Sequence, residues 1–358
     1  MAPPDPEADK DKPSASSVHS RARAVLAEYA LSPITMAACE KWLVMMADPN
    51  HNDLDRLRAW MLNKINRRDR ANPPTPWQKG CPEILAGLTA KPVWQPHAHL
   101  PFIATFEAHA DEIRAELLAL KGRRSFQPLK IPNWASKQRL ASPDGAGSIS
   151  HDAGDWNVFY LSLHEIPCEE NCAMCPVTSR LLSELPRSYK HAFFSALTPG
   201  THILKHHGPT NKKLRIHLPL LGTEGAELRV ADQIIPVERD KCLVFDDSFE
   251  HEAWHRGDAT RIVLVFDIWH PDLSDKEVQF FSFLQRSLMR AEMKASKAAA
   301  AAHKSSLNGK LIDAGEEEYA GEEEYGKQGE AHVHVGEDFY SLLEHAKNSL
   351  PDNTWWVD

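Results

Sequence analysis

The run Lys213-Leu-Arg-Ile-His-Leu-Pro-Leu220 constrains the fold more than any other stretch, because apolar and polar residues alternate along it with the period of a half-buried β-strand. Arg215 and His217 share one face. Leu214, Ile216 and Leu218 take the other, where packing against a second sheet is the expectation. A guanidinium beside an imidazole suits a carboxylate that accepts paired hydrogen bonds. An isolated Arg-x-His is more often an edge-strand arginine in a surface ion pair, so the flanking sequence has to decide.

Upstream, Thr198 to Asn211 is dense in Gly and Pro and carries His202, His206 and His207, which reads as a loop able to hold an imidazole rigidly. Downstream, Lys241–Phe245 reads as a strand, Asp246–Ser248 as a turn, and Phe249–His255 as a continuation that delivers His251. Arg261–Trp269 is a strong β run with Arg261, Val263 and Val265 on one face. Two histidines from separate β segments, followed by an arginine on the next strand, form the layout of non-haem Fe(II) oxygenases that use 2-oxoglutarate. The metal takes imidazoles and keeps open positions for a 2-oxo acid and O2, and the arginine takes the far carboxylate.

At these residues the chain resembles the aspartyl/asparaginyl β-hydroxylases. The likeness is carried by His206–Leu220, by Val244-Phe-Asp-Asp-Ser-Phe-Glu-His-Glu-Ala-Trp254, and by Arg261 with Asp267-Ile-Trp-His-Pro-Asp-Leu273. It extends more weakly through Ser195-x-x-x-Pro-Gly200, Asp155-Trp156 and Leu88–Pro92. Several motifs agreeing in order and separation are more specific than any one of them. The resemblance implies a double-stranded β-helix, a jelly roll of mainly β structure, at 86–275 with flanking α-helices.

It also implies Fe(II) held by His206 and His251, and 2-oxoglutarate held by Arg261 and Ser195 at its distal carboxylate. Arg215 and His217 would be further cosubstrate contacts, and Trp156 an active-site aromatic. Lys213 stands where the family has a basic residue for an acidic substrate side chain, while Phe193 departs from the lysine of some members. The implied reaction hydroxylates the β-carbon of an aspartyl or asparaginyl residue, or of a related acid, in an acidic peptide or small molecule. The alternatives are hydroxylation of a lipid or small metabolite, and a non-catalytic jelly-roll scaffold.

A facial triad needs Asp or Glu two residues after the first histidine, yet position 208 is glycine. The site is therefore expected to have two protein ligands, with water in the vacancy. Iron halogenases share the His-x-Gly arrangement, but the remaining motifs follow the hydroxylases. His207, His255 and His270 read as polar-group partners rather than ligands, and His202 as a residue that orients a ligand. Cys168, Cys172 and Cys175 have the Cys-x3-Cys-x2-Cys spacing of iron–sulfur sites, but spacing is the sole support. A loop with an optional disulfide or an adventitious zinc clip fits as well.

With 358 residues, 42% apolar and 25% charged, the chain has material for one sizeable core plus extensions. A net charge of −9 argues against nucleic-acid binding. Absence of an apolar leader or a membrane-spanning run gives a cytoplasmic expectation. Residues 1–16 read as polar and disordered, and 17–85 as a helical module with helices at Val18–Ala30, Pro33–Ala47 (capped by Ser32) and Asp53–Asn66. Residues 276–358 read as a helix followed by an acidic tail that repeats Gly-Glu-Glu-Glu-Tyr and ends in Thr354-Trp-Trp-Val-Asp358.

Overall fold

The computed structural model describes residues 15–29, 31–47, 54–66, 73–120, 127–128, 156–291 and 294–295. Residues 1–14, Asp155, the acidic repeat and the Trp-Trp ending lie outside the described residues, so the expectations placed on them are not addressed.

Three helices open the chain: α1 (Ala15–Ala27), α2 (Pro33–Ala47) and α3 (Asp55–Ile65). The first begins at Ala15, inside the stretch read as disordered. Ser32 does cap α2, its Oγ accepting the Thr35 N–H at 3.1 Å. The α3 stripe of Leu57 and Met61, with Leu54 before it, is buried against Phe280, Phe281 and Leu284 of a final helix, α9 (275–291). That stripe is core.

Between these ends lie β1 (Val93–Trp94), α4 (Pro96–His99), α5 (Ile103–Ala108), α6 (Ala110–Ala119), β2 (Gln127–Pro128), β3 (Trp156–Leu163), β4 (Ile166–Pro167), α7 (Glu169–Met174) and α8 (Pro176–Ser183). They are followed by β5 (Ser188–Leu197), β6 (His202–His206), β7 (Lys213–Leu221), β8 (Ala226–Val230), β9 (Gln233–Pro236), β10 (Leu243–Phe245), β11 (His251–His255) and β12 (Arg261–Trp269). One antiparallel sheet runs β1-β10-β7-β12-β5-β3-β2, with β4 paired to β3, and the second runs β6-β11-β8-β9. The two sheets make a jelly roll flanked by helices. The segment after Phe245 turns at Asp246–Ser248, where Ser248 N–H donates to the Asp246 carboxylate at 2.9 Å, and so β11 enters the second sheet.

The two faces of the larger sheet are covered differently, which corrects one expectation. Leu214, Ile216 and Leu218 do not meet a second sheet; they pack with Phe106, Ile113, Leu117 and Leu181 of the outer helices. Helices supply a continuous apolar cover, and Phe106 stacks on Phe266 at 4.5 Å between centroids. The opposite face, bearing Arg215 and His217, looks into the roll.

The helical ends and the roll are joined by Glu83. Its carboxylate accepts from Trp60 Nε1 on α3 at 2.8 Å and from Lys212 Nζ, just before β7, at 2.6 Å. The Lys212 and Lys64 ammonium groups outweigh burial and hold this carboxyl down at about 2. None of the described helices is long and apolar enough to cross a membrane.

Ile216 is fully buried whereas Ile234 is 61% exposed. Ile216→Ala is expected to cost roughly 2–5 kcal/mol in urea unfolding, and Ile234→Ala to stay within about 0.5 kcal/mol. Equal losses would contradict the assignment of the outer face as core.

Candidate active site

Antiparallel register builds the centre of the site. His251, first residue of β11, pairs directly with His206, last residue of β6, and their ring centroids lie 4.0 Å apart. Each ring is oriented in the same way: His206 Nδ1 hydrogen-bonds the Leu204 carbonyl at 2.7 Å, and His251 Nδ1 the Phe249 carbonyl at 2.8 Å. A carbonyl accepts only, so Nδ1 carries the proton and the lone pair sits on Nε2. Burial, first of all, pushes the His251 pKa well below its usual value and keeps the ring neutral. Two imidazoles side by side, each held at Nδ1 by a backbone carbonyl, supply Nε2 atoms that fit a divalent transition ion such as Fe(II).

The loop that follows is anchored through Asn211, whose side chain accepts the Leu85 N–H at 2.8 Å and donates to the Leu85 carbonyl at 3.0 Å, as a paired strand would. Gly208 lies in this loop. Its N–H donates to the Asp247 carbonyl at 2.5 Å, and a Cβ there would collide with the Asp247 carboxylate. The glycine is a packing requirement, and no side chain at 208 has room to supply a third ligand.

Inside the roll the larger sheet presents its residues in rows. Trp156, Leu197 and Arg261 form one row; Val158, Ser195, Val263 and Pro219 the next; Tyr160, Phe193, Val265 and His217 the third. Trp156 Nε1 donates to Ser195 Oγ at 3.0 Å. Arg261 is 3% exposed, and its Nε and Nη2 have no hydrogen-bond partner among the described residues. Burial alone shifts it, lowering its pKa to about 10. An uncompensated buried guanidinium costs several kcal/mol, so this is a place prepared for an anion. His217 Nδ1 is likewise without a partner among the described residues. Burial and then the charges of Arg261 and Arg215 hold His217 neutral. Phe245 packs edge-on against both His217 and His251, at 5.1 and 5.5 Å.

Arg215 and Lys213 are both held by carboxylates. Arg215 makes a bidentate pair with Asp267, Nε to Oδ1 and Nη2 to Oδ2 both at 2.9 Å, and approaches Asp247 at 3.3 Å. Lys213, 1% exposed, lies 2.6 Å from Asp247 and 2.9 Å from Asp267. Two cations thus face two carboxylates in a buried network. Arg215 and Lys213 hold the Asp267 carboxyl far below the usual range, and the aspartates raise the Arg215 pKa. Asp247 and Asp267 are the residues sequence reasoning missed. Alternation from Arg261 through 263 and 265 puts 267 on the inner face, a signal that was available.

Three of the other histidines hold polar groups. His255 Nε2 meets the Ala259 carbonyl at 2.5 Å, His270 Nε2 the Thr89 carbonyl at 3.3 Å, and His202 Nε2 the Glu252 carboxylate at 3.0 Å. His202 therefore orients neither His206 nor His251 by the bond shown. Cys168, Cys172 and Cys175 are free thiols. Burial pushes Cys168 and Cys175 up to about 12, so as free thiols they stay protonated. Among the described residues, no group of three or more His, Cys, Asp or Glu side chains could hold a metal.

Residues 107–271, which span the inner rows and the histidine pair, match the sequence model of the family described as aspartyl/asparaginyl beta-hydroxylase. The match takes in just under half of the chain, and over it the sequence is similar to that family. Human aspartate beta-hydroxylase domain-containing protein 2 is 39% identical over 196 residues, covering 52% of this chain and 52% of that protein. Human aspartyl/asparaginyl beta-hydroxylase is 32% identical over 210 residues, covering 56% of this chain and 25% of its own length. Ornithine lipid ester-linked acyl 2-hydroxylase of Rhizobium tropici is 34% identical over 198 residues, covering 54% of this chain and 66% of that protein. The chain thus spans about half the length of the first of these β-hydroxylase relatives and a quarter of the second.

Gly208→Asp is expected to destabilise the protein by roughly 1–3 kcal/mol in denaturant unfolding, through overpacking and like charge against Asp247. Unchanged stability would show that the loop has more room than the contact implies.

Proposed function

We propose that the chain is an Fe(II)- and 2-oxoglutarate-dependent dioxygenase that hydroxylates an unactivated carbon. The observation that carries this reading is Arg261, a buried guanidinium without a partner among the described residues, on the same inner face as Ser195 and His217. Arg261 and His217 are four residues apart in register on neighbouring extended strands, since His217 pairs with Val265. That is roughly 13 Å between Cα levels, which an arginine side chain and a five-carbon diacid together span.

His206 and His251 would hold the iron through Nε2, kept in that tautomer by Leu204 and Phe249 carbonyls. Bound iron supplies oxidation of a C–H bond by O2, coupled to conversion of 2-oxoglutarate to succinate and CO2. The rest of the work is positioning. Arg261 would pair the distal carboxylate, with Ser195, whose Oγ accepts the Trp156 indole N–H, in the adjacent row. Neutral His217 keeps a nitrogen for the cosubstrate, while Val158, Val263 and Phe193 exclude water from the slot. Asp247 and Asp267 fix Arg215, so its charge stays near the iron site without moving.

The substrate proposed is a methylene next to a carboxyl, carboxamide or ester carbonyl. The names of the relatives share this denominator: the β-carbon of aspartate is adjacent to its side-chain carboxyl, and position 2 of an acyl group is adjacent to the ester carbonyl. Acidic recognition does not pass through Lys213, whose charge is spent on two aspartates. A peptide Asp or Asn is the first candidate, on the family match. An acyl group is the second, on the 34% identical lipid hydroxylase.

Succinate formation from 2-oxoglutarate with Fe(II) and ascorbate is the test, with Arg261→Ala alongside. A charge-assisted bond of about 1.5–3 kcal/mol predicts a 2-oxoglutarate KM raised roughly 10- to 150-fold. An unchanged KM would remove Arg261 from its role. No succinate from iron-loaded protein, with peptides and acyl substrates both supplied, would favour the scaffold reading.

A further inference from the structure

Helix α2 carries apolar residues on two sides, and one of them is covered. Cys39 and Leu43 are buried, with Met36 and Trp42 beside them, against α1, α3 and the start of α9, where the Trp42 ring lies 5.8 Å from that of Phe280. The opposite side exposes Ile34 (65%), Ala37, Lys41 and Val44 (64%). Their spacing is three, four and three residues, so they form one seam along the helix with the a and d period of a two-helix coiled coil. Single exposed apolar residues are ordinary. A seam with a β-branched residue at each end of one helix face is the pattern of a groove wall that receives another helix.

A second copy of α2 fits this seam poorly. It would bring Lys41 against an equivalent seam, and the single carboxylate of α2, Glu40, is already engaged 3.2 Å from Arg23 Nε. The sequence after α9 holds a better match. Phe339, Leu343, Ala346 and Leu350 follow one another at four, three and four residues, with Leu342 beside them. Asp338 ahead of them is an N-cap residue type and Pro351 behind them is a stop, so the sequence predicts one amphipathic helix over 339–350. A helix at or below about 12–15 residues is marginal in water unless its apolar face is buried. The charge also matches: Glu337, Asp338 and Glu344 flank the apolar residues against Lys347 alone, and the one charge in the α2 seam is the exposed ammonium of Lys41. Length permits the reach. From Phe280, beside α2, helix α9 runs roughly 17 Å to residue 291, and the chain from 296 to 338 would span roughly 35 Å as a random coil.

We propose that residues 339–350 of this chain dock on the exposed side of α2, their apolar residues against Ile34, Ala37 and Val44 and their acidic flank toward Lys41. The contact is independent of the reaction proposed above, because none of its residues belongs to the iron or 2-oxoglutarate contacts.

Hydrogen exchange of the full chain, read by mass spectrometry, tests it. The amides of 339–350 are expected to exchange at least tenfold more slowly than in a free peptide of the same sequence, at a rate independent of protein concentration. Ile34→Glu together with Val44→Glu, both at exposed sites, is expected to return 339–350 to the free rate while β7 and β12 exchange as before. Lys41→Glu is expected to remove most of the protection, and it decides alone should the double change loosen α2 itself. No protection in the unaltered chain, protection that survives the double change, protection undiminished by Lys41→Glu, or protection that grows with protein concentration, the sign of a second copy on this face, would each overturn the proposal.

Discussion

A buried positive charge needs a negative one, and the interior of this roll meets that need for two cations and not for the third. Lys213 and Arg215 are matched by Asp247 and Asp267 within hydrogen-bonding distance. Arg261 is buried as deeply and is matched by nothing among the described residues. A fold that satisfies two such charges with near-ideal geometry does not leave the third by accident of packing. The difference separates residues that hold the structure from a residue kept for a ligand, and it makes the inner face of β12 the reference for the rest of the site.

Register turns that difference into a site. The pairing of His251 with His206 on one sheet and of Val265 with His217 on the other is set by side-chain period. A slip of one residue in either would send an imidazole to the outer face. The outer face is unforgiving: Ile216, Leu264 and Phe266 lie under helices that tolerate no polar group there. The apolar cover is thus what keeps His217 and Arg261 aimed inward, and stability and function are tied through the same alternation.

Much of this was legible in the chain. The alternation from Lys213, the β run from Arg261 and the two histidine segments located the strands and the faces that carry Arg215, His217 and Arg261. Alternation alone does not say which face meets helices and which meets a sheet, so Leu214, Ile216 and Leu218 were assigned the wrong neighbour. Lys213 and Arg215 were read as ligand contacts because their partners, Asp247 and Asp267, lie 34 and 52 residues away and are found only through strand pairing. The junction of the helical ends with the roll had no signature, since Trp60, Glu83, Lys212 and Phe281 come from four separate stretches.

Anaerobic titration with Fe(II), read by the nitrogen couplings of a nitrosyl-labelled ion, tests the central claim most directly. One ion per chain with two imidazole nitrogens is expected, and its loss in the His206→Ala, His251→Ala double variant. An ion retained with unchanged couplings in that variant would contradict the account.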